Sequence, residues 1–358
     1  MKTFKQHLLS RLIWVCCLFL GNSCVDPLDF IGETARGQVV IYGLFTDDAD
    51  DVHVVNVGIT QNFGLAQAPV NNASVFLRSS DGLFRQYIPS GNGEYLLEGV
   101  RGNPGTSYSL RVVINEQIYE SSFERMPDLN AVDQIDFRFT TVLTDTRVDV
   151  PTFEVFGNST VPEASEPLFL RWSTEETYLW TLLELPPSGP SVSTTPPCFI
   201  QSVIEPNRVN LFNTAGTQTR AVDLFFGRRD VDDSFLNPFF VTVNQYSINQ
   251  FTYEYWEKIR IAISNQGGIF DTPPAPVSGN FQNISNPEER VLGIFEVAKV
   301  QKTRFFTTIA DVPFFLPRPC IFSPTRPVFS YPSSCLSCEE RAEGRKIIRQ
   351  RPSWWVFG

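Results

Sequence analysis

Residues Asn71–Val113 read NNASVFLRSSDGLFRQYIPSGNGEYLLEGVRGNPGTSYSLRVV. Val75 and Leu77 alternate with polar neighbours. So do Tyr108, Leu110 and Val112, and Ile114 continues the pattern. A period of two lays apolar side chains along one face of a half-buried strand. The breaks carry turn chemistry: Ser80-Asp81-Gly82, Ser90-Gly91-Asn92-Gly93 and Arg101-Gly102-Asn103-Pro104-Gly105. Pro104-Gly105 suits the centre of a type II turn, where Pro presets φ and Gly takes the positive φ. Val55, Val57 and Ile59 alternate in the same way upstream. Short strands at a spacing of about 8–12 residues predict a β-sandwich.

Met126-Pro127-Asp128 interrupts the pattern, which places a domain boundary there and divides the chain into 37–127 and 128–358. The second region is also β-rich, with expected strands at Ile135–Phe139, Thr152–Phe156, Leu168–Trp172, Thr177–Leu183, Arg208–Phe212, Phe239–Val243, Val291–Val297 and Arg304–Ile309. Pro-rich stretches at Leu185–Pro197, Asp271–Pro276 and Phe314–Pro327 read as ordered loops or linkers. One segment departs from β periodicity. Between residues 248 and 266, Ile248, Phe251, Tyr255, Ile259 and Ala262 recur at helical spacing, beside Trp256 and Ile263. Ser247 with Gln250 suggests a capping box, and Gly267 suits the position just past the end. The expected class is therefore mostly β, a sandwich followed by a larger β-rich domain with one amphipathic helix.

The chain has 358 residues and a formal charge of −10, from 29 basic and 39 acidic side chains. That balance argues against nucleic-acid binding, which calls for a basic face, and against attachment to anionic lipid by charge. Residues 1–23 form a leader: Lys2, Lys5 and Arg11 precede the apolar run Leu12–Leu20. That run is much shorter than the ~20 residues of a membrane-spanning helix, so it reads as a signal peptide. Leu20-Gly21-Asn22-Ser23-Cys24 resembles a bacterial lipoprotein cleavage site, with Cys24 as the acylated residue. Two or more acyl chains give stable anchoring. The alternative is ordinary cleavage nearby, which yields a free periplasmic protein. Residues 24–36 read as a tether, whose Asp26 and Asp29 resemble a surface-export signal of Bacteroidota.

Tyr253–Phe295 contains YEYWEKI, NQGGIFDTPPAPVSGNFQNI and NPEERVLGIFEV. Together with SCVDPLDF, VVIYGLFTDD, PGTSYSLRV, the pair Cys335-x-x-Cys338 and Arg351-Pro352-Ser353-Trp354-Trp355, these blocks resemble a Bacteroidota lipoprotein family of unknown function, DUF4249. The NNASV…RVV stretch is itself similar to the immunoglobulin-like modules of secreted bacterial proteins. The family resemblance implies an outer-membrane lipoprotein at the cell surface, with a TonB-dependent receptor as partner. It implies an accessory role in uptake or surface assembly, no cofactor and no established catalytic activity. Two readings from other classes stand beside it: an autonomous surface protein binding glycan, peptide or chelate, and a surface hydrolase.

Four cysteines follow Cys24: Cys198, Cys320, Cys335 and Cys338. An even number in an exported chain points to disulfides, in any of three connectivities. A four-thiolate zinc site is the sharper alternative, although a second C-x-x-C is missing. Asp47, Asp48, Asp50 and Asp51 form an acidic turn, as do Asp230, Asp232 and Asp233. Such turns collect Ca²⁺ in some proteins, but neither has EF-hand spacing, and a solvated loop is the plainer reading. His7 lies in the leader, so His53 is the one histidine of the body. It shares strand parity with Val55 and Val57, and no nucleophile motif accompanies it. Trp354 and Trp355 follow a basic run near the C-terminus and either tuck into the body or meet a partner.

Overall fold

The computed structural model describes residues 37–61, 66–143, 148–162, 166–183, 197–215, 220–264 and 277–357, all within the unit Ala35–Gly358. The leader, Cys24, the tether, residues 184–196, Gly267 and Asp271–Pro276 lie outside the described residues. Those described are mostly β, in three sheets of eleven, six and three strands.

The principal strands of the first part of the chain are β1 (Val39–Thr46), β2 (His53–Ile59), β3 (Ser74–Ser79), β4 (Glu94–Leu97), β5 (Ser107–Ile114) and β6 (Gln117–Ser121). β1, β2 and β4 belong to the eleven-stranded sheet, and β3, β5 and β6 to the six-stranded one. The alternating residues of both sheets meet in one core. Ile41, Phe45, Val55 and Val57 pack there with Val75, Leu77, Tyr108 and Leu110. Fully burying one such side chain contributes about 1.5–3 kcal/mol. Gly105 takes φ +82°, as the expected turn requires. Phe281, Val291, Phe295 and Val297 return from far along the chain to the same core.

The principal later strands are β7 (Val132–Leu143), β8 (Asp149–Thr160), β9 (Phe169–Trp180), β10 (Cys198–Val203), β11 (Arg220–Asp230) and β12 (Phe239–Ile248). After them come α1 (Gln250–Ser264), β13 (Phe295–Thr307), the short α2 (Cys338–Ala342) and β14 (Lys346–Ile348). β7, β8 and β11 form the three-stranded sheet. The large sheet runs β14-β10-β9-β12-β13-β1-β2-β4 and ends on Ile88–Gly91. β1 and β13 pair in parallel, Gly43 opposite Phe295. A second core joins Leu170, Trp172 and Tyr178 of β9 and Val241 and Val243 of β12 to Phe153 and Val155 of β8.

Three sequence expectations are corrected. Leu168–Trp172 and Thr177–Leu183 are parts of one strand, β9, and Val291–Val297 and Arg304–Ile309 overlap one strand, β13. β9 continues through polar residues on both faces: Ser173 and Glu175 turn to the second face, while Thr174 and Glu176 are buried on the core side, Thr174 donating to the Phe226 carbonyl and Glu176 pairing with Arg229. The helix starts at Gln250, not at Ile248, and Ser247 does not cap it. Ser247 is committed to β12, where its hydroxyl donates to Asn130 Oδ1. Asn249 is the cap, accepting from the Thr252 amide at 2.8 Å. The buried stripe runs through Thr252 and Tyr255, which leaves Phe251 exposed.

Candidate functional site

Strand alternation gives the large sheet two faces at its β9–β12–β13 centre. Leu170, Trp172, Val241 and Val243 turn toward the second core. Arg171, Ser173 and Glu175 of β9, Thr242, Asn244 and Tyr246 of β12, and Lys302 and Arg304 of β13 fall on the other face by parity. The register sets these in rows. Glu175 lies opposite Thr242, and Thr242 opposite Arg304. Ser173 lies opposite Asn244, and Asn244 opposite Lys302. Arg171 lies opposite Tyr246.

Both ends of this face are covered. At one end α1 brings Tyr253 and Trp256 onto Tyr246, Ile248 and Ala298. At the other, the C-terminal tail packs Trp355 on Phe199 and Phe240. The polar middle rows remain open as a cleft of about 1000 Å³. Asp48–Val52 and residues 345–354 contribute its walls.

The floor is a hydrogen-bonded amide–carboxylate set. Glu175 Oε1 accepts from Asn244 Nδ2 at 3.0 Å, and Glu175 Oε2 accepts from Gln201 Nε2 at 3.0 Å. Burial pushes the Glu175 carboxyl above its ordinary value, against the pull of Lys302 and Lys346. Asn244 is 2% exposed, and its Oδ1 accepts no hydrogen bond from the described residues. A buried amide oxygen without a donor costs about 1–3 kcal/mol unless something supplies one.

The predicted acidic turn forms part of the wall. Asp48 and Asp51 both pair with Lys302. Asp47 Oδ1 accepts from the Val300 amide at 2.8 Å, and Asp48 Oδ1 from the Asp50 amide at 2.9 Å. Burial works against the Lys302 charge, but the two aspartates outweigh it and hold the ammonium above its ordinary value. Arg304 donates through Nε to Thr242 Oγ1 at 3.0 Å and stacks 4.0 Å from the centre of the Trp354 ring. Among the described residues Arg304, Lys346 and Arg351 form no ion pair with a carboxylate. Arg351 instead donates to the Trp355 carbonyl.

A buried pair marks the border between the cleft and α1. Arg171 donates from Nε and Nη2 to Glu296 Oε1 at 3.1 and 2.8 Å. Glu296 Oε2 accepts from Trp256 Nε1 at 2.8 Å. The guanidinium is held 4.5 Å from the Tyr246 ring centre and 4.8 Å from that of Trp256. This pair was not singled out in the sequence, nor were Glu175, Asn244, Lys302 and Arg304. The available signal was polar residues alternating through the apolar strands RWSTEET and FFVTVNQ.

The remaining sequence candidates sit elsewhere. Cys198 bonds Cys338, and Cys320 bonds Cys335, so these sulfurs are not free thiolates for zinc. Among the described residues no three His, Cys, Asp or Glu side chains are gathered for a metal. Asp232 accepts from Ser234 and pairs with Arg229 and Arg341, and Asp233 pairs with Arg341. His53 is buried at the start of β2. Its Nε2 lies 2.7 Å from the Val100 carbonyl, and its ring packs on Phe45. Trp355 is buried within the fold, while Trp354 lines the cleft.

A family profile described as "Domain of unknown function (DUF4249)" matches residues 25–304, which span β1 to most of β13. The chain belongs to DUF4249. The match covers the strands that build the cleft floor, whereas Arg345, Lys346, Arg351 and Trp354 lie beyond it. No curated protein matches this DUF4249 chain. Among solved structures it is similar to native E. coli alpha-2-macroglobulin, seen by cryo-EM, at 12% identity and a TM-score of 0.17. That likeness covers 61% of this chain and 13% of the other, and it is too low to bear on the fold.

Proposed function

We propose that this DUF4249 protein is a non-enzymatic lipoprotein of the outer-membrane surface, anchored through Cys24, that holds a small solute in its sheet-face cleft and serves a TonB-dependent receptor. The observation that carries the reading is the open cleft of about 1000 Å³ on the polar face of the sheet, lined by Glu175, Thr242, Asn244, Lys302 and Arg304. Binding is preferred to catalysis because the wall and floor carboxylates are already engaged. Asp48 and Asp51 share Lys302, and Glu175 accepts two amide N–H groups.

The first sandwich, read as an immunoglobulin-like module, is a scaffold in this account. The receptor-facing surface is assigned to the Pro-rich tail. Phe315 and Phe329 are 92% and 87% exposed, on a segment braced by the Cys320–Cys335 disulfide. Large exposed apolar side chains on an ordered segment mark interaction surfaces. A second reading, autonomous capture without a receptor, draws on the same cleft.

The test is purification of the full chain from its own membranes in mild detergent, with mass spectrometry of co-purifying proteins and of solute released on denaturation. A stoichiometric TonB-dependent receptor together with a released solute is the expected result. Solute without receptor favours autonomous capture. Absence of both overturns the proposal.

A further inference from the structure

The edges of the three sheets are not alike. Among the described residues the end strands of the eleven- and six-stranded sheets are short, at Lys346–Ile348, Ile88–Gly91, Phe84–Gln86 and Phe281–Asn283. The three-stranded sheet ends on two long strands instead, β7 and β11. β11 is interrupted by register shifts against β8 and by Asp223 at φ +54°. Such irregularities keep an edge from accepting another strand. β7 has none of them. It pairs with β8 alone, in register from Val132 to Leu143 without a bulge, and it contains neither Pro nor Gly.

Pro151 fixes which peptide groups of β7 point outward. Its carbonyl accepts from the Val231 amide at 2.8 Å, so it turns toward the β11 side of β8. Thr141 lies opposite Pro151 and is therefore not hydrogen-bonded to it, which leaves the Thr141 N–H and C=O on the free edge. Alternation carries the same direction to Phe139, Phe137, Ile135 and Asp133. The Phe137 amide is met only by its own neighbour, Asp136 Oδ1, at 2.8 Å. The peptide groups of Ile135, Phe139 and Thr141 have no partner among the described residues. The two faces beside this edge differ in chemistry. Ile135, Phe137 and Phe139 are half-buried against the second core, whereas Gln134, Asp136 and Arg138 are exposed.

We infer that this edge docks on the same edge of a second copy of the chain, β7 antiparallel to β7 about a two-fold axis, so that one continuous sheet crosses the pair. A two-fold contact needs a self-complementary surface, and β7 has one. With the axis at Phe137, Asp136 faces the partner's Arg138 and Arg138 faces the partner's Asp136. In the same register Gln134 faces the partner's Thr140, and Ile135 faces the partner's Phe139. Moving the axis by one residue sets Asp136 against Asp136 or Arg138 against Arg138, and like charges directly opposite are destabilising. The register that matches the charges also overlaps nearly the whole strand. Its outward peptide groups, from Asp133 to Thr141, make ~10 backbone hydrogen bonds, as many as an ordinary protein interface carries. Pairing moves the Phe137 amide from Asp136 to the partner's Phe137 carbonyl and frees the Asp136 carboxylate for the partner's Arg138. Arg138 remains available to it, with a side chain 62% exposed and only Glu154 as ion-pair partner. The contact is independent of the cleft, which lies on the other face of the large sheet.

The test is light scattering on the full chain in mild detergent, joined to disulfide trapping in its own membranes. Twice the monomer mass is expected. Asp136→Lys should weaken the dimer at least ~10-fold, because the two-fold axis applies the repulsion twice, and adding Arg138→Glu should restore it. In this register Gln134 and the partner's Thr140 form a non-hydrogen-bonded pair with Cα atoms about 4.5 Å apart, within reach of a disulfide. The double variant Gln134→Cys/Thr140→Cys should therefore cross-link two copies. Gln134→Cys alone should not, because the two introduced thiols lie about 20 Å apart along the strands. Thermal melting curves control for folding of each variant, and the mass of the unmodified chain needs no substitution. A monomeric mass at every concentration overturns the inference. So does a dimer indifferent to Asp136→Lys, or a double variant that cross-links no better than Gln134→Cys alone. A cross-link from the double variant to a different protein gives the edge another occupant and overturns the second-copy assignment.

Discussion

Replacing Arg171 by Met tests whether the border between α1 and the cleft depends on a charge pair or on packing. Glu296 is fully buried, and Arg171 supplies both donors to its Oε1. Without them the carboxylate keeps, among the described residues, the Trp256 indole alone. Leaving a buried charge without its partner costs about 3–5 kcal/mol. The lost stacking of the guanidinium on Tyr246 and Trp256 adds about 1 kcal/mol, because Met refills part of the space. Glu296→Leu should cost about as much, for it strands Arg171 in the same surroundings. The double variant R171M/E296L removes both charges together and should lose no more than about 2 kcal/mol, giving a coupling of several kcal/mol between the sites. Urea unfolding followed by tryptophan fluorescence reads this directly. With a slope near ~3 kcal/mol per M for a chain of this size, each single variant should shift the midpoint down by about 1–2 M. The shift should be nearly the same at low and high salt, because a buried pair is weakly screened. A single-variant shift under ~0.3 M, or a double variant that loses the sum of the singles, would refute the assignment.

Other consequences are as direct. Replacing Cys320 and Cys335 together by Ser opens a 15-residue loop and should cost about 3 kcal/mol, whereas opening the 140-residue Cys198–Cys338 loop should cost about 5 kcal/mol. Non-reducing peptide mapping should recover these two pairs. Burial holds His53 below its ordinary value of 6.5, so from that value downward the unfolded chain takes up a proton before the folded one does. The His53 contribution is fully present above that range and is lost as pH falls toward the folded-state value; His53→Gln should flatten the slope of the urea midpoint there. Asn249→Ala removes the α1 cap and should cost about 1 kcal/mol by the same assay. Trp355→Ala empties the contact on Phe199 and Phe240 and should cost about 3–5 kcal/mol, with faster proteolysis of the tail.

The candidate site was only partly legible in the sequence. Trp354 and the Asp48–Asp51 turn were singled out as a possible partner contact and a possible ion site, and the fold places both at one cleft. Glu175 and Asn244 were passed over because each sits alone among strand residues, and its importance comes from a neighbour 69 positions away. Arg171 and Glu296, 125 positions apart, escaped for the same reason. The helix end was misplaced because Ser247 has the chemistry of a cap, while β12 continues through it and claims it first.

Alternation, turn residues and helical spacing are local properties, set by side chains two to five positions apart. For that reason the β class, the turn at Pro104-Gly105 and the presence of α1 follow from the sequence alone. Strand order is non-local. Nothing in Val39–Thr46 states that its partner is Phe295–Thr307, because many apolar strands satisfy the same edge and the choice rests on how two whole cores close. The cleft is a product of that choice. It exists because α1 and the C-terminal tail each cover an apolar end of one sheet face, and the polar rows between them have no apolar surface to hold a cover.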